Sequence, residues 1–262
     1  MTTILAVQNL YKSFGGVKAV HNVSFELAEG QLLAMIGPNG AGKSTCFNLI
    51  NGQLRPDHGS IIIMGNKING RKPREVWNLG VGRTFQITST FASMSVLENV
   101  QMTLLSYHKK TKSLLKKVSE LYIDESMKLL KLVGIEDQAE RACGVLAYGD
   151  LKRVELAVAL ANKPRLMLMD EPTAGMGPAE RQSLMELTAD IVRTRHIGVL
   201  FTEHDMEVVF NHADRIIVLN RGELVAEGTP DEVQANEKVK EIYLCRGETA
   251  GPSKEESAVT DS

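Results

Sequence analysis

The sequence predicts an α/β domain built on a parallel sheet, with an antiparallel β layer at its start and a helical insert in its middle. Three observations predict this. After Leu146, helical and extended stretches alternate through "LKRVELAVALANK", "RLMLMD", "AERQSLMELTADIVRTR", "IGVLFTE", "MEVVFNHA" and "RIIVLNRG". Such alternation indicates β-α units, and the nearly unbroken apolar strands imply burial on both faces. The first 36 residues instead hold short β-like runs ("ILAVQNL", "HNVSFELA", "QLLAMI") between Gly-containing turns. "MTTILAVQNLYKSF" and "GSIIIMGNKI" read as strands of an antiparallel layer. Between Val96 and Ala142 the apolar residues fall at helical spacing, as in "MKLLKLVGI".

Bulk properties bound what such a domain can do. A chain of 262 residues, 43% of them hydrophobic, can fill one large core or a core with a subdomain. The net charge of −2 gives no electrostatic footprint for nucleic acid. Cys46, Cys143 and Cys245 lie far apart without CxxC spacing, as expected for reduced thiols in a cytosolic protein. No apolar run approaches the length of a membrane span, and "MTTILAVQNL" lacks the pattern of a signal peptide. The expectation is a soluble, cytoplasmic protein that other chains would hold at a membrane. The basic stretch "HKKTKSLLKK" reads as a solvated helix face or loop rather than a lipid-headgroup contact. Residues 247–262, small, polar and charged, read as a disordered tail after a domain over residues 1–246.

The first chemical signal follows the apolar strand "LLAMI". Residues 37–45, "GPNGAGKST", fit G-x-x-x-x-G-K-[ST], with Gly37, Gly42, Lys43 and Ser44 at the defining positions. Glycines there let backbone N–H groups turn inward as an anion nest, and the helix that starts behind them adds its positive end. Lys43 supplies a point charge for the β- and γ-phosphates, and the Ser44 hydroxyl a ligand for Mg²⁺. A dinucleotide-binding loop read from Gly37, Gly40 and Gly42 would not need the Lys-Ser-Thr ending. The ligand is therefore expected to be a nucleoside triphosphate.

A matching acidic site lies at "RLMLMDEP". Ligands of α/β sheets bind beyond the carboxyl ends of the strands, where Asp170 and Glu171 fall. Asp170 can hold the Mg²⁺ shell, and Glu171 can polarise an attacking water. His204 closes the apolar strand "IGVLFTEHD" at the same sheet end, suited to sensing a γ-phosphate. Gln86 in "VGRTFQ" carries little information on its own.

Together these residues resemble the ATP-binding subunit of an ABC transporter, from Ile4 to about Gly247. Phe14 in "YKSFGG" stands where that family stacks an aromatic on adenine. Gly37, Pro38, Asn39, Gly40, Ala41, Gly42, Lys43, Ser44 and Thr45 match its Walker A loop, and Gln86 its Q-loop glutamine and second metal contact. "LAYGD" (Leu146, Ala147, Tyr148, Gly149, Asp150) falls at the family signature, before the helix bearing Arg153. Asp170 matches Walker B, Glu171 the catalytic glutamate, residues 175–178 the D-loop and His204 the switch histidine. The resemblance implies a P-loop NTPase fold with a RecA-like parallel-sheet core, an antiparallel β subdomain and an α-helical subdomain over about residues 86–160. It also implies ATP and Mg²⁺ as cofactors. Two such domains sandwich two ATPs, each lying between one Walker A loop and the other subunit's signature. Membrane permease subunits bear on a groove beside Gln86, which makes "QITSTFASMSVLENV" the candidate docking surface.

Within the family, "GRTFQ", "LAYG" and "EHDMEVVFNHADRIIVLNRGELVAEGTPDEV" followed by "VKEIYL" are similar to the larger of the two ATPases of branched-chain amino acid importers. These work with a periplasmic binding protein. Urea and short-amide importers share the style. The lipopolysaccharide-export ATPase has a related tail but keeps Ser-Gly-Gly in its signature. A soluble ABC ATPase of DNA repair or translation would need a coiled coil or a second cassette, and a P-loop kinase would have no use for His204 and a signature.

Departures from the family pattern share a location. Against the usual Leu-Ser-Gly-Gly-Gln, Ala147 replaces the serine whose hydroxyl meets the partner's γ-phosphate, a bond worth about 1.5–3 kcal/mol. Tyr148 replaces a glycine, Asp150 the glutamine, and Gly177 an aspartate of the D-loop. Every element acting on the chain's own nucleotide is kept, and both that act on the partner's are altered. This implies a heterodimer with an unequal second ATPase.

Overall fold

The computed structural model describes residues 2–84, 90–108 and 121–244. A long hairpin opens the fold: β1 (Thr3–Phe14) and β2 (Val17–Ala28) pair antiparallel across Gly15-Gly16, with Phe14 opposite Val17. Next come β3 (Leu32–Ile36), α1 (Lys43–Ile50), β4 (His58–Ile63), β5 (Asn66–Lys67), α2 (Pro73–Trp77) and β6 (Val81–Thr84). The helical stretch holds α3 (Val96–Tyr107), α4 (Ile123–Val133) and α5 (Tyr148–Leu160). Alternation resumes with β7 (Leu166–Asp170), α6 (Pro178–Arg195), β8 (Gly198–Thr202) and α7 (Met206–His212). The order ends with β9 (Arg215–Asn220), β10 (Glu223–Gly228), α8 (Pro230–Ala235) and α9 (Glu237–Leu244).

Among the described residues these strands form two sheets. One is antiparallel, in the order β2-β1-β4-β5; the other runs β10-β9-β3-β8-β7-β6. In the second, β9, β3, β8, β7 and β6 are parallel, and β10 turns back antiparallel at the edge. The expectation of a parallel sheet therefore needs β10 added as an antiparallel edge, because Arg221-Gly222 closes a two-residue hairpin after β9. The strand β6, just before Gln86, supplies the far edge.

Alternation along the buried strands splits the apolar residues into two layers. Leu33, Met35, Leu168, Leu200 and Ile217 face the antiparallel sheet and α1, packing with Leu5, Val23, Phe25 and Phe47. Leu32, Ala34, Met167, Met169, Val199 and Phe201 face the helices, packing with Val154, Leu184, Met185 and Val209. Both faces of the sheet are thus covered, which leaves the carboxyl ends of its strands for chemistry.

The helical stretch is capped by its own sequence. Ser95 accepts from the Glu98 amide and Glu98 accepts from the Ser95 amide, a reciprocal cap for α3. Arg153 of α5 donates to the Val133 carbonyl at the end of α4 (2.8 Å) and to Ser183 of α6 (2.9 Å). This ties the signature helix to its neighbours on both sides. Cys46 and Cys143 are buried free thiols, and burial pushes the Cys46 pKa up to about 12. No helix among the described residues is long and apolar enough to cross a membrane. Gln86, most of the basic stretch, Cys245 and residues 247–262 lie outside the described residues.

Candidate active site

The loop after β3 is held in a form that only glycine permits at two points. Gly37 has φ 149° and Gly42 φ 105°. A Cβ on Gly37 would lie 2.1 Å from the Leu219 carbonyl oxygen, and one on Gly42 2.3 Å from that of Ala19. The loop is thereby pressed between β9 and β2, and α1 starts immediately behind it. Gly42 caps α1 with no side-chain bond, so no capping side chain competes with an anion at the positive end of that helix. The Lys43 ammonium is buried and donates to the carbonyls of Gly37 (2.6 Å) and Pro38 (3.3 Å), which closes the loop into a ring.

A cavity of about 500 Å³ opens over this loop. Residues 39–45 form its floor, residues 17–19 of β2 one wall, and Glu171, His204 and Arg221 line the rest. The structure thus brings together the loop, the expected catalytic glutamate and the expected switch histidine. Phe14 is not among the lining residues; it sits at the end of β1, about half exposed, with the Lys12 ammonium 5.5 Å from its ring centre.

Strand-end geometry sets the acidic pair. Asp170 ends β7 and accepts from the Thr202 hydroxyl at the end of β8 (2.8 Å), while its other oxygen lies 3.9 Å from the Arg83 guanidinium. Burial lowers the Arg83 pKa and the Asp170 charge pulls it back up. Glu171 adopts φ 49°, the left-handed region that costs a non-glycine residue about 1–2 kcal/mol. Its amide donates to both the Thr202 carbonyl and hydroxyl, each at 3.1 Å. That turn aims its carboxylate at His204, whose Nε2 lies 2.8 Å from Glu171 Oε1.

Two residues that the motifs did not single out hold this arrangement. Thr202 bonds both Asp170 and Glu171. Glu203 is buried; its Oε1 accepts from the Thr173 amide (2.9 Å) and hydroxyl (2.6 Å), and its Oε2 from the His204 amide (3.2 Å). It bolts the loop carrying Glu171 to the loop carrying His204. The available signal was polar residues ending the apolar run "IGVLFTE". Asp205 then caps α7 and pairs with Arg181 of α6.

The signature stretch lies apart from this cavity. Leu146, Ala147, Tyr148 and Gly149 are not among its lining residues, and α5 begins at Tyr148 with Ala147 as an unbonded cap. The exposed Tyr148 ring covers Gly175, where a Cβ would sit 3.2 Å from Tyr148 Cε1, and the Lys152 ammonium lies 5.4 Å from the ring centre. The stretch expected as the signature therefore meets the stretch expected as the D-loop, through Gly175.

A glycine cradle with a buried lysine, two carboxylates and a histidine at the strand ends defines a P-loop nucleoside triphosphatase. A family model described as ABC transporter matches residues 20–174. A second, described as branched-chain amino acid ATP-binding cassette transporter, matches residues 223–244. The chain is 38% identical over 251 residues to the high-affinity branched-chain amino acid transport ATP-binding protein LivG of Salmonella typhimurium, covering 92% of this chain and 97% of that one. Its identity to BraF of Pseudomonas aeruginosa, a protein of the same description, is 36% over 252 residues, with the same coverage. The crystal structure of an ATP-binding cassette of an ABC transporter, in its ADP conformation, matches with a TM-score of 0.83 at 30% identity, covering 93% of this chain and 99% of that one. The chain belongs to the ABC transporter ATP-binding family and is an ATPase.

Proposed function

We propose that this chain energises an importer of branched-chain amino acids, as the larger of two unlike ATPase subunits. The observation that carries the reading is the match of residues 223–244 to the branched-chain cassette model, joined to near full-length similarity to LivG and BraF. Permease subunits hold the chain on the cytoplasmic face of the membrane, and a periplasmic binding protein delivers the amino acid to them.

The site suits ATP and Mg²⁺. The loop amides and Lys43 hold the phosphates, and Phe14, opposite the cavity-lining Val17 across the β1–β2 hairpin, serves the adenine from beyond that wall. Ser44, Asp170 and Gln86 offer the hard oxygen donors that Mg²⁺ takes, and the ion would supply charge neutralisation at the β- and γ-phosphates. Glu171 accepts a proton from the attacking water, and His204 holds its carboxylate in place. The signature of the second ATPase completes this cavity, while residues 146–149 face the partner's nucleotide. Ala147 offers no hydroxyl there, and Tyr148 packs its ring on Gly175, two residues before the other departure at Gly177.

The permease docks beside β6 and α3. Phe91 and Met102 are exposed apolar side chains lining one cavity with Trp77 and Thr103. A larger cavity continues from it past Arg74 and Arg83. The decisive test is uptake of labelled leucine in a deletion strain carrying wild-type chain or Glu171→Gln. Uptake restored by the wild type alone supports the reading; unchanged leucine uptake in the deletion strain overturns it.

A further inference from the structure

The hairpin between β9 and β10 closes through Arg221-Gly222, with Asn220 opposite Glu223 in register. Both central residues have positive φ, 49° for Arg221 and 84° for Gly222. This is a type I′ turn, whose first position suits Asn, Asp or Gly, and where an arginine adopts left-handed backbone at a cost. The turn is locked in place: the Gly222 amide donates to the Ala41 carbonyl of the phosphate loop (2.9 Å), and the His21 amide of β2 donates to the Gly222 carbonyl (2.7 Å). A Cβ on Gly222 would sit 2.8 Å from the Lys18 carbonyl oxygen. A strained backbone fixed against the loop thus carries an exposed arginine at a position that lines the cavity also bordered by Lys43, Ser44, Glu171 and His204.

We propose that Arg221 is a further phosphate-binding residue of the ATP site. It adds a second cation to Lys43, whose ammonium also donates to two carbonyls of the loop itself. The planar guanidinium suits the non-bridging oxygens of a phosphate chain, and the turn's bond to Ala41 keeps Arg221 in step with any movement of the loop. Arg221 also borders a second cavity, lined by residues 38–41 and by Glu241 and Ile242 of α9. A structural tie from the turn to Glu241 is therefore the competing role for this side chain. The proposal rests on nucleotide occupying the loop, and wild-type binding with its loss in Lys43→Ala tests that separately.

Arg221→Asn separates the roles, because Asn suits the first position of the turn while removing the cation. Affinities for ATP and for inorganic tripolyphosphate are measured by displacement of a fluorescent nucleotide, beside the melting temperature without ligand. The expected result is binding of both ligands weakened about five- to tenfold, with an unchanged or higher melting temperature and partial rescue in Arg221→Lys. Unchanged affinity with a lowered melting temperature overturns the proposal in favour of the tie to α9. Weakened ATP binding with unaltered tripolyphosphate binding also overturns it, placing Arg221 on the nucleoside.

Discussion

Replacing Glu203 by Gln separates positioning from chemistry at this site. The carboxylate is 4% exposed and accepts three hydrogen bonds, from the Thr173 amide and hydroxyl and from the His204 amide. A Gln side chain keeps its oxygen toward Thr173, where two donors at 2.9 and 2.6 Å converge, and so turns its NH₂ toward the His204 amide. Two donors then face each other where a 3.2 Å hydrogen bond stood. Leaving this part-buried amide facing another donor costs about 1–3 kcal/mol, and the bonds that remain lose their charge assistance. The expected loss is about 2–3 kcal/mol, or roughly 5–10 °C in melting temperature for a chain of this size. His204 moves away from Glu171, so turnover falls by about tenfold or more. Nucleotide affinity stays within about twofold, since residues 37–45 make none of these bonds. The assays are thermal unfolding, turnover in the assembled transporter, and nucleotide binding. Wild-type stability together with wild-type turnover in the Gln variant would refute the reasoning.

Thr202→Val removes the hydroxyl bonded to Asp170 at 2.8 Å but leaves the Glu171 amide its bond to the Thr202 carbonyl at 3.1 Å. A stability loss of about 1.5 kcal/mol, the lower end for a bond to a charged group, is expected by urea unfolding. Asp205 bears on pH dependence. Burial raises its pKa, but the Arg181 hydrogen bond, the α7 amides and the Arg181 charge outweigh this, so the net shift is downward. A depressed carboxylate stabilises the fold above its unfolded pKa of about 3.9 and loses that contribution as pH falls through the lower folded value. Asp205→Asn should therefore be less stable than wild type at neutral pH, with the two unfolding curves converging in acid.

The local parts of this site were legible in the sequence, and the long-range parts were not. Residues 37–45 announce themselves because an anion nest needs fixed glycine spacing within one loop. Asp170, Glu171 and His204 were legible because each follows an apolar strand whose carboxyl end must face the ligand. Thr202 and Glu203 act across neighbouring strands and loops, so no spacing in the chain marks them. The strand β6 was obscured because its four residues run directly into the stretch that holds Gln86. The antiparallel edge strand β10 was hidden by an Arg-Gly turn, which lacks the Asn or Asp that normally signals a tight hairpin. The contact of Tyr148 with Gly175 spans 27 positions, so the stretch around residues 146–150 and the loop over residues 175–178 become neighbours only in the fold.

The proposed division of labour between unlike ATPases is tested most directly in the purified transporter, with Glu171 and its counterpart in the second ATPase replaced separately by Gln. Glu171→Gln is expected to abolish most ATP turnover, because in the proposed arrangement Glu171 works in the cavity completed by the fuller signature. The partner's variant is expected to retain a larger share. Turnover left largely intact by Glu171→Gln, and abolished by the partner's substitution, would contradict it.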